Sequence, residues 1–273
     1  MESIKRPARE PLGRLFERLL IIPILVETRG WPYIMSWAHR ISGVILSLFL
    51  GFHLYTLLLL KSSGAYDSQM VLFSTFPFKI LAWLLAFPVI FHALNGGRMI
   101  LYESFGKRED STLIRAVFIL SAVYLINLGI LMKQAVSIST PQWFWVPVFL
   151  ASLIISFFVL RQLQKSRTGV GWKLQRVTGS FLMLMIPAHM IFMHMHPEVA
   201  HSASIVTQRL QNGYIRIIGI LLVAVVLFHC GYGLTSLLDD YFSRRFSRIF
   251  YRSFIWSLIV LMAFFAIDLL VSI

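Results

Sequence analysis

The chain has 273 residues, 58% hydrophobic and only 14% charged, with a mean hydropathy of +0.75, a balance that excludes an ordinary soluble domain. The formal net charge of +13 is read as Lys and Arg gathered in loops on one side of a membrane, not as a nucleic-acid footprint. The single cysteine, Cys230, excludes a disulfide framework and any Cys-ligated iron–sulfur cluster within the chain.

Residues 1–32 carry Lys5, Arg6, Arg9, Arg14, Arg18 and Arg29 around Leu15-Phe16 and Leu19-Leu20-Ile21-Ile22. The apolar part is short, and Pro23 and Glu27 interrupt it. With no small-residue cleavage site after it, this stretch is expected to be an amphipathic cytoplasmic arm, or a docking arm for a soluble partner, and not a signal peptide. Seven membrane spans follow, at about 33–60, 78–103, 113–136, 143–164, 174–196, 214–238 and 251–272. Pro88, Pro147 and Pro187 fall inside them, as membrane helices tolerate. The fold class is therefore an all-α integral membrane protein. No G-x-G-x-x-G follows a strand-like run, so no dinucleotide fold is expected.

Charge orients the spans. The N-terminal arm, Lys107-Arg108 with Arg115, the run Arg161, Lys165, Arg167 and Lys173, and the run Arg244, Arg245, Arg248 and Arg252 all fall on one side. Lys61, Lys79, Lys133, Arg209 and Arg216 fall on the other. The rich side is expected to be cytoplasmic, at the cell inner membrane, with the N-terminus inside and the C-terminus outside.

Two stretches repeat each other. Ser36-Trp37-Ala38-His39-Arg40-Ile41-Ser42-Gly43 runs on to His53, and Gln175-Arg176-Val177-Thr178-Gly179 runs on to His189. Arg and the later His are thirteen residues apart in both copies. Each copy is followed by a His with Gly four residues on, His92/Gly96 and His229/Gly233. A match of this period predicts two similar halves, 33–136 and 173–273, with three spans each. Three is odd, so a direct join would invert the second half. The fourth span, in the linking region 137–172, is expected to return the chain so that the halves run parallel.

A histidine inside a bilayer is a functional hypothesis by default. His53 lies roughly 25 Å and His92 roughly 16 Å from the inner end of its span, at 1.5 Å per residue. The repeat gives His189 and His229 the same two depths, so two His pairs are expected, one above the other. Two facing imidazoles in apolar surroundings suit a haem iron with two axial His ligands, which carries electrons and has no open position for a substrate. Gly96 and Gly233, one turn from their His, are expected to leave room for the edge of the macrocycle. Arg40, Arg98 and Arg176 are candidates to pair with its propionates, and His39 to bond a propionate or a quinone. His194 rivals His189 as an outer ligand, while His196 and His201 suit a wet interface. The alternative for each buried His is an interhelical hydrogen bond.

At these residues the chain resembles the cytochrome b membrane anchor of the succinate dehydrogenase/fumarate reductase family, respiratory complex II. The first half carries the pattern Ser-x-x-His-Arg-x-Ser/Thr-Gly at Ser36, His39, Arg40, Ser42 and Gly43, then His92, Gly96 and Arg98, as in the larger anchor subunit. The second carries Arg176, then His229, Gly233 and the Asp240-Tyr241 pair, as in the smaller one. Met99 stands where many relatives have a second His. The resemblance implies that His92 and His229 ligate a haem b shared by both halves, with His53 and His189 holding a second, as in two-haem members. It implies a quinone pocket at Ser36, Arg40, Asp240 and Tyr241, with menaquinone the quinone a two-haem arrangement suits. It also implies partner chains, a flavoprotein subunit with FAD and an iron–sulfur subunit, because neither cofactor can be housed here. The chain would then be no catalyst toward succinate by itself. Two rivals stand beside this reading: a dihaem anchor for another respiratory dehydrogenase, and a haem-free transporter with a His-lined proton path.

Overall fold

The structure, a computed structural model, describes residues 27–106, 110–134, 144–195 and 201–272. Most of the expected N-terminal arm, Lys107-Arg108, His196 and the side chain of His194 lie outside the described residues. The helices are α1 (Trp31–Leu58, extended by a 3-10 turn at Leu59–Lys61), α2 (Ser63–Phe73), α3 (Phe76–Phe105), α4 (Asp110–Gln134), α5 (Trp145–Gln164), α6 (Val170–Met195), α7 (Ala203–Gln211), α8 (Gly213–Asp239) and α9 (Arg245–Ser272). No strand occurs among the described residues. All but α2 and α7 are long and apolar enough to cross a membrane, which makes the seven predicted spans. Large apolar side chains point outward from them: Leu48 is 73% exposed and Val260 65%, a surface suited to lipid rather than water.

The chain divides into two compact units after Ala38. In the first, the Arg29 guanidinium lies 5.6 Å from the centre of the Tyr33 ring, which meets Trp37 edge-on at 6.4 Å. The second, from His39 onward, contains the helical bundle. Its hub is α6, which packs on α3, α4, α5 and α8. Small polar residues make the closest approach possible. Ser180 of α6 donates to Ser156 of α5 at 3.2 Å, and Ser152 and Ser156 donate to carbonyls one turn back, so the hydroxyls of this stripe are satisfied. The linking helix α5, expected only to return the chain, thus has a serine stripe set against α6. Gln162 at its far end donates to the Ser104 carbonyl of α3 at 2.8 Å.

Helix ends follow local chemistry. The α3 helix stops at Gly106, whose φ of 65° is left-handed and whose amide bonds back to the Leu101 carbonyl. The α8 helix starts at Asn212, whose side chain accepts from the amides of Tyr214 and Ile215. Pro187 leaves α6 continuous, and its carbonyl takes the Tyr124 hydroxyl of α4 at 2.8 Å.

The two short helices were not expected. They pack against each other through Leu60, Tyr66, Met70, Ala203 and Leu269, with Val206 and Leu210 alongside. Asp67 of α2 accepts the Ala203 amide at 2.8 Å and so caps α7 from another part of the chain. Burial pushes the Tyr66 phenol up to about 12, with the neighbouring Asp67 carboxylate acting in the same direction. An ion pair, Lys61–Asp268, joins the ends of α1 and α9 beside them.

Candidate functional site

The Arg-x-Ser/Thr-Gly motif builds one imidazole cradle in each half. In the first, His92 on α3 faces Ser42 and Gly43 on α1. His92 Nδ1 lies 3.1 Å from Ser42 Oγ and 3.2 Å from the His39 carbonyl oxygen. A Cβ on Gly43 would sit 3.1 Å from His92 Cε1, so the ring occupies space that only glycine leaves. In the second, His229 on α8 faces Thr178 and Gly179 on α6. Its Nδ1 lies 3.2 Å from Thr178 Oγ1, and a Cβ on Gly179 would again sit 3.1 Å from Cε1. The His92 and His229 ring centres are 6.3 Å apart and nearly perpendicular, at 86°.

His39 stacks flat on His92, with ring centres 3.9 Å apart and 8° between planes. Gln175 stands at the corresponding place in the second half, where its amide nitrogen donates to the His229 carbonyl at 3.2 Å and lies 3.4 Å from His229 Nε2. Gly96 and Gly233 lie beside these two side chains. A Cβ on Gly96 would meet His39 at 3.5 Å, and one on Gly233 would meet Gln175 at 3.3 Å. His39 Nδ1 and Gln175 Oε1 are buried with no hydrogen-bond partner among the described residues.

The second pair repeats the spacing in plainer surroundings. His53 on α1 and His189 on α6 have ring centres 6.3 Å apart, inclined at 76°. Phe49 stacks near His53 at 5.7 Å, and Trp145 lies 6.2 Å from His189. Trp145 belongs to the apolar cluster with Phe181, Leu182, Met185 and Phe192.

The charged groups gather at one end of the bundle. Arg40 on α1 pairs with Asp240 at the end of α8 at 2.8 Å and reaches the Tyr241 hydroxyl at 3.4 Å. Arg176 on α6 donates twice to Glu103 at the end of α3, at 2.6 and 2.9 Å, and lies over the Trp172 ring at 4.4 Å. Each half's arginine is thus held by a carboxylate of the other half. Arg98, buried at 8% exposure, pairs with Asp110 and donates to Asn95 Oδ1 at 2.8 Å. All three arginines expected to meet propionates therefore already have protein acceptors. Arg252 pairs with Asp239, which also accepts from the Tyr251 hydroxyl at 2.7 Å. Ser36 lies in the first unit, one helical turn before Arg40 in α1.

The family described as succinate dehydrogenase/fumarate reductase transmembrane subunit matches residues 29–130 and 158–267. The chain belongs to that family. Among curated relatives, the succinate dehydrogenase 2 membrane subunit SdhC of Mycobacterium tuberculosis (strain ATCC 25618 / H37Rv) is 33% identical over 102 residues, which is 36% of this chain and 73% of that one. No solved structure matches. The protein is thus a multi-pass membrane subunit of the succinate dehydrogenase/fumarate reductase family, and the two matched segments leave out residues 131–157, where α5 begins.

In this transmembrane subunit, several residues matter that the sequence did not single out. Ser42 and Thr178 were noticed as parts of a motif, but not as partners of the imidazoles. Gln175 lacked the conspicuous chemistry of His39, although it precedes Arg176 just as His39 precedes Arg40. Glu103 is the counterpart of Asp240, each lying eleven residues after its half's later His. That spacing was the one signal available for it.

Proposed function

We propose that this chain is the dihaem cytochrome b anchor of a succinate:quinone oxidoreductase or fumarate reductase, moving electrons between an iron–sulfur subunit and a membrane quinone. The observation that supports it is the pair of matched imidazole spacings, 6.3 Å in each case. A metal with two trans imidazoles needs about 2 Å for each metal–nitrogen bond and roughly 1 Å more from each nitrogen to its ring centre, about 6 Å in all. On this reading His92 and His229 hold one haem b, and His53 and His189 the other. A bis-imidazole haem supplies one-electron transfer with no open coordination position.

The chain's own residues then act at the quinone. Reduction of a quinone to a quinol takes up two electrons and two protons. The Tyr241 hydroxyl donates a hydrogen bond to a quinone carbonyl oxygen, and Arg40 stabilises the negative charge that develops there. Asp240 holds Arg40 in place. Ser36 joins this set on its sequence position alone. The charged end of the bundle faces the cytoplasm and docks the iron–sulfur subunit, behind which a flavoprotein subunit carries FAD.

Two parallel three-helix halves place the haems one above the other across most of the bilayer of a cell inner membrane. Moving one electron across the field involves about 2.3 kcal/mol per 100 mV, a coupling that suits menaquinone. The test is purification with the partner subunits, followed by reduced-minus-oxidised spectra and haem stoichiometry. Two low-spin haems per chain are expected. A colourless complex overturns the reading.

A further inference from the structure

The inner imidazoles are marked by what their second nitrogen touches. The carbonyl oxygen of His39 can only accept a hydrogen bond, and it lies 3.2 Å from His92 Nδ1. That nitrogen must therefore carry the proton. The Ser42 hydroxyl points its own hydrogen at the same carbonyl, at 2.9 Å, and so offers a lone pair to His92 Nδ1 at 3.1 Å. In the other half, Thr178 gives its hydrogen to the Leu174 carbonyl at 2.8 Å and offers a lone pair to His229 Nδ1 at 3.2 Å. The Gln175 amide, a donor, faces His229 Nε2 at 3.4 Å, which is the complementary arrangement. Both rings are thus fixed as the tautomer with Nδ1 protonated and the lone pair on Nε2, which at His229 faces the Gln175 amide. Gly43 and Gly179 bring the supporting backbone against each ring, and a Cβ at either position would force the ring to shift.

We propose that Ser42 and Thr178 are positioning residues for the inner pair: each hydroxyl accepts the Nδ1 proton of the facing imidazole, aims Nε2 at the shared site and raises its donor strength. This rests on the reading of His92 and His229 as iron ligands. The hydroxyls are in turn anchored to main-chain carbonyls of α1 and α6, so the rigid helices, not mobile side chains, fix the ring planes. No hydrogen bond to the His53 ring is found among the described residues, and its close ring neighbour is Phe49. The haem assigned to His53 is therefore the comparison within the same complex.

The experiment is a redox titration and low-temperature EPR of the complete membrane complex carrying Ser42→Ala, Thr178→Val or both. A weaker donor favours ferric iron less, so the inner haem's midpoint shifts upward and its low-spin signal moves, while the outer haem keeps both. Roughly ten-fold weaker inner-haem retention accompanies the double variant. Ser42→Thr and Thr178→Ser, which keep the hydroxyls, restore the wild-type values. If Ser42→Ala prevents assembly, Ser42→Cys, of similar size and a poorer acceptor, gives the same readout. Unmoved signals in the double variant overturn the proposal, as does an equal shift of both haems. A wild-type complex with no haem at all instead overturns the reading on which it rests.

Discussion

At the end of the bundle that holds Arg40, Glu103 and Asp240, arginines and carboxylates cross between the halves, and the nearby imidazoles are hydrogen-bonded through hydroxyls to helix backbone. Toward the end that holds Lys61 and Asp268, the imidazoles sit near Phe49 and Trp145, and two short helices lie across the loops. The ring spacing of the two His pairs is the same. What differs is the surrounding chemistry. A polar network in low dielectric fixes orientation and proton position, while the aromatic neighbours of the other pair add bulk and dryness. One scaffold thus offers two sites of equal span and unequal tuning, and the polar one adjoins the groups proposed to meet the quinone.

The largest expected effect separates the two pairs outright. If His92 and His229 hold the inner haem as proposed, His92→Ala or His229→Ala should halve the haem content and leave the outer haem's spectrum intact. His53→Ala should do the reverse. Pyridine haemochrome stoichiometry with EPR of each variant reads this directly. Loss of both haems from either change would mean that the sites are not independent, and the comparison would fail.

Next comes the charged end. Arg40→Ala removes the cation expected to stabilise charge on the quinone and leaves Asp240 without its partner at 2.8 Å. Quinone reduction by the complex should fall by about 10²-fold, with haem content unchanged. Arg176→Ala is the matched control, because the Glu103 pair has Ser104 where the other has Tyr241. A much smaller loss of activity is expected there, and equal losses would show that the two crossed pairs do one job.

A third, smaller effect tests the linking helix. Ser180 is 1% exposed, and its hydroxyl meets Ser156 of α5 at 3.2 Å. Ser180→Val adds bulk at that point and should cost about 1–3 kcal/mol of stability, seen as an earlier thermal transition of the complex. The haem spectra should be unmoved, since among the described residues Ser180 bonds only Ser156 and the Val177 carbonyl and none of the imidazoles.

How much of this was legible depends on what each feature rests upon. The seven spans were readable because bilayer crossing demands some 20 apolar residues in a row, a one-dimensional property. The His positions were readable because the repeat places them in register, His53 with His189 and His92 with His229. The hydroxyls of Ser42 and Thr178 were visible as a motif, yet their meaning depends on how α1 and α6 are rotated toward α3 and α8, which no spacing specifies. The same holds for Glu103: its pairing with Arg176 exists only after the halves come together. The short helix α2 lacks a strong apolar pattern, and α7 has one over only nine residues, too few to stand alone; both are fixed by packing on each other.

The smallest effect belongs to those short helices and tests whether the outer end is held by a few local contacts. Asp67 on α2 accepts the first amide of α7, at Ala203, an amide that has no partner within its own helix. Ser202, at the capping position, bonds the Ser204 hydroxyl at 2.9 Å and caps no helix amide, so Asp67 supplies the cap from a distance. Asp67→Ala should cost about 1 kcal/mol locally, roughly a five-fold rise in the opening of α7. Hydrogen exchange of the complex should register it in residues 203–211 and hardly at all in α3 or α8. Spread of the faster exchange to the Arg40–Asp240 end would mean that the two ends open together, and the division drawn between them would not hold.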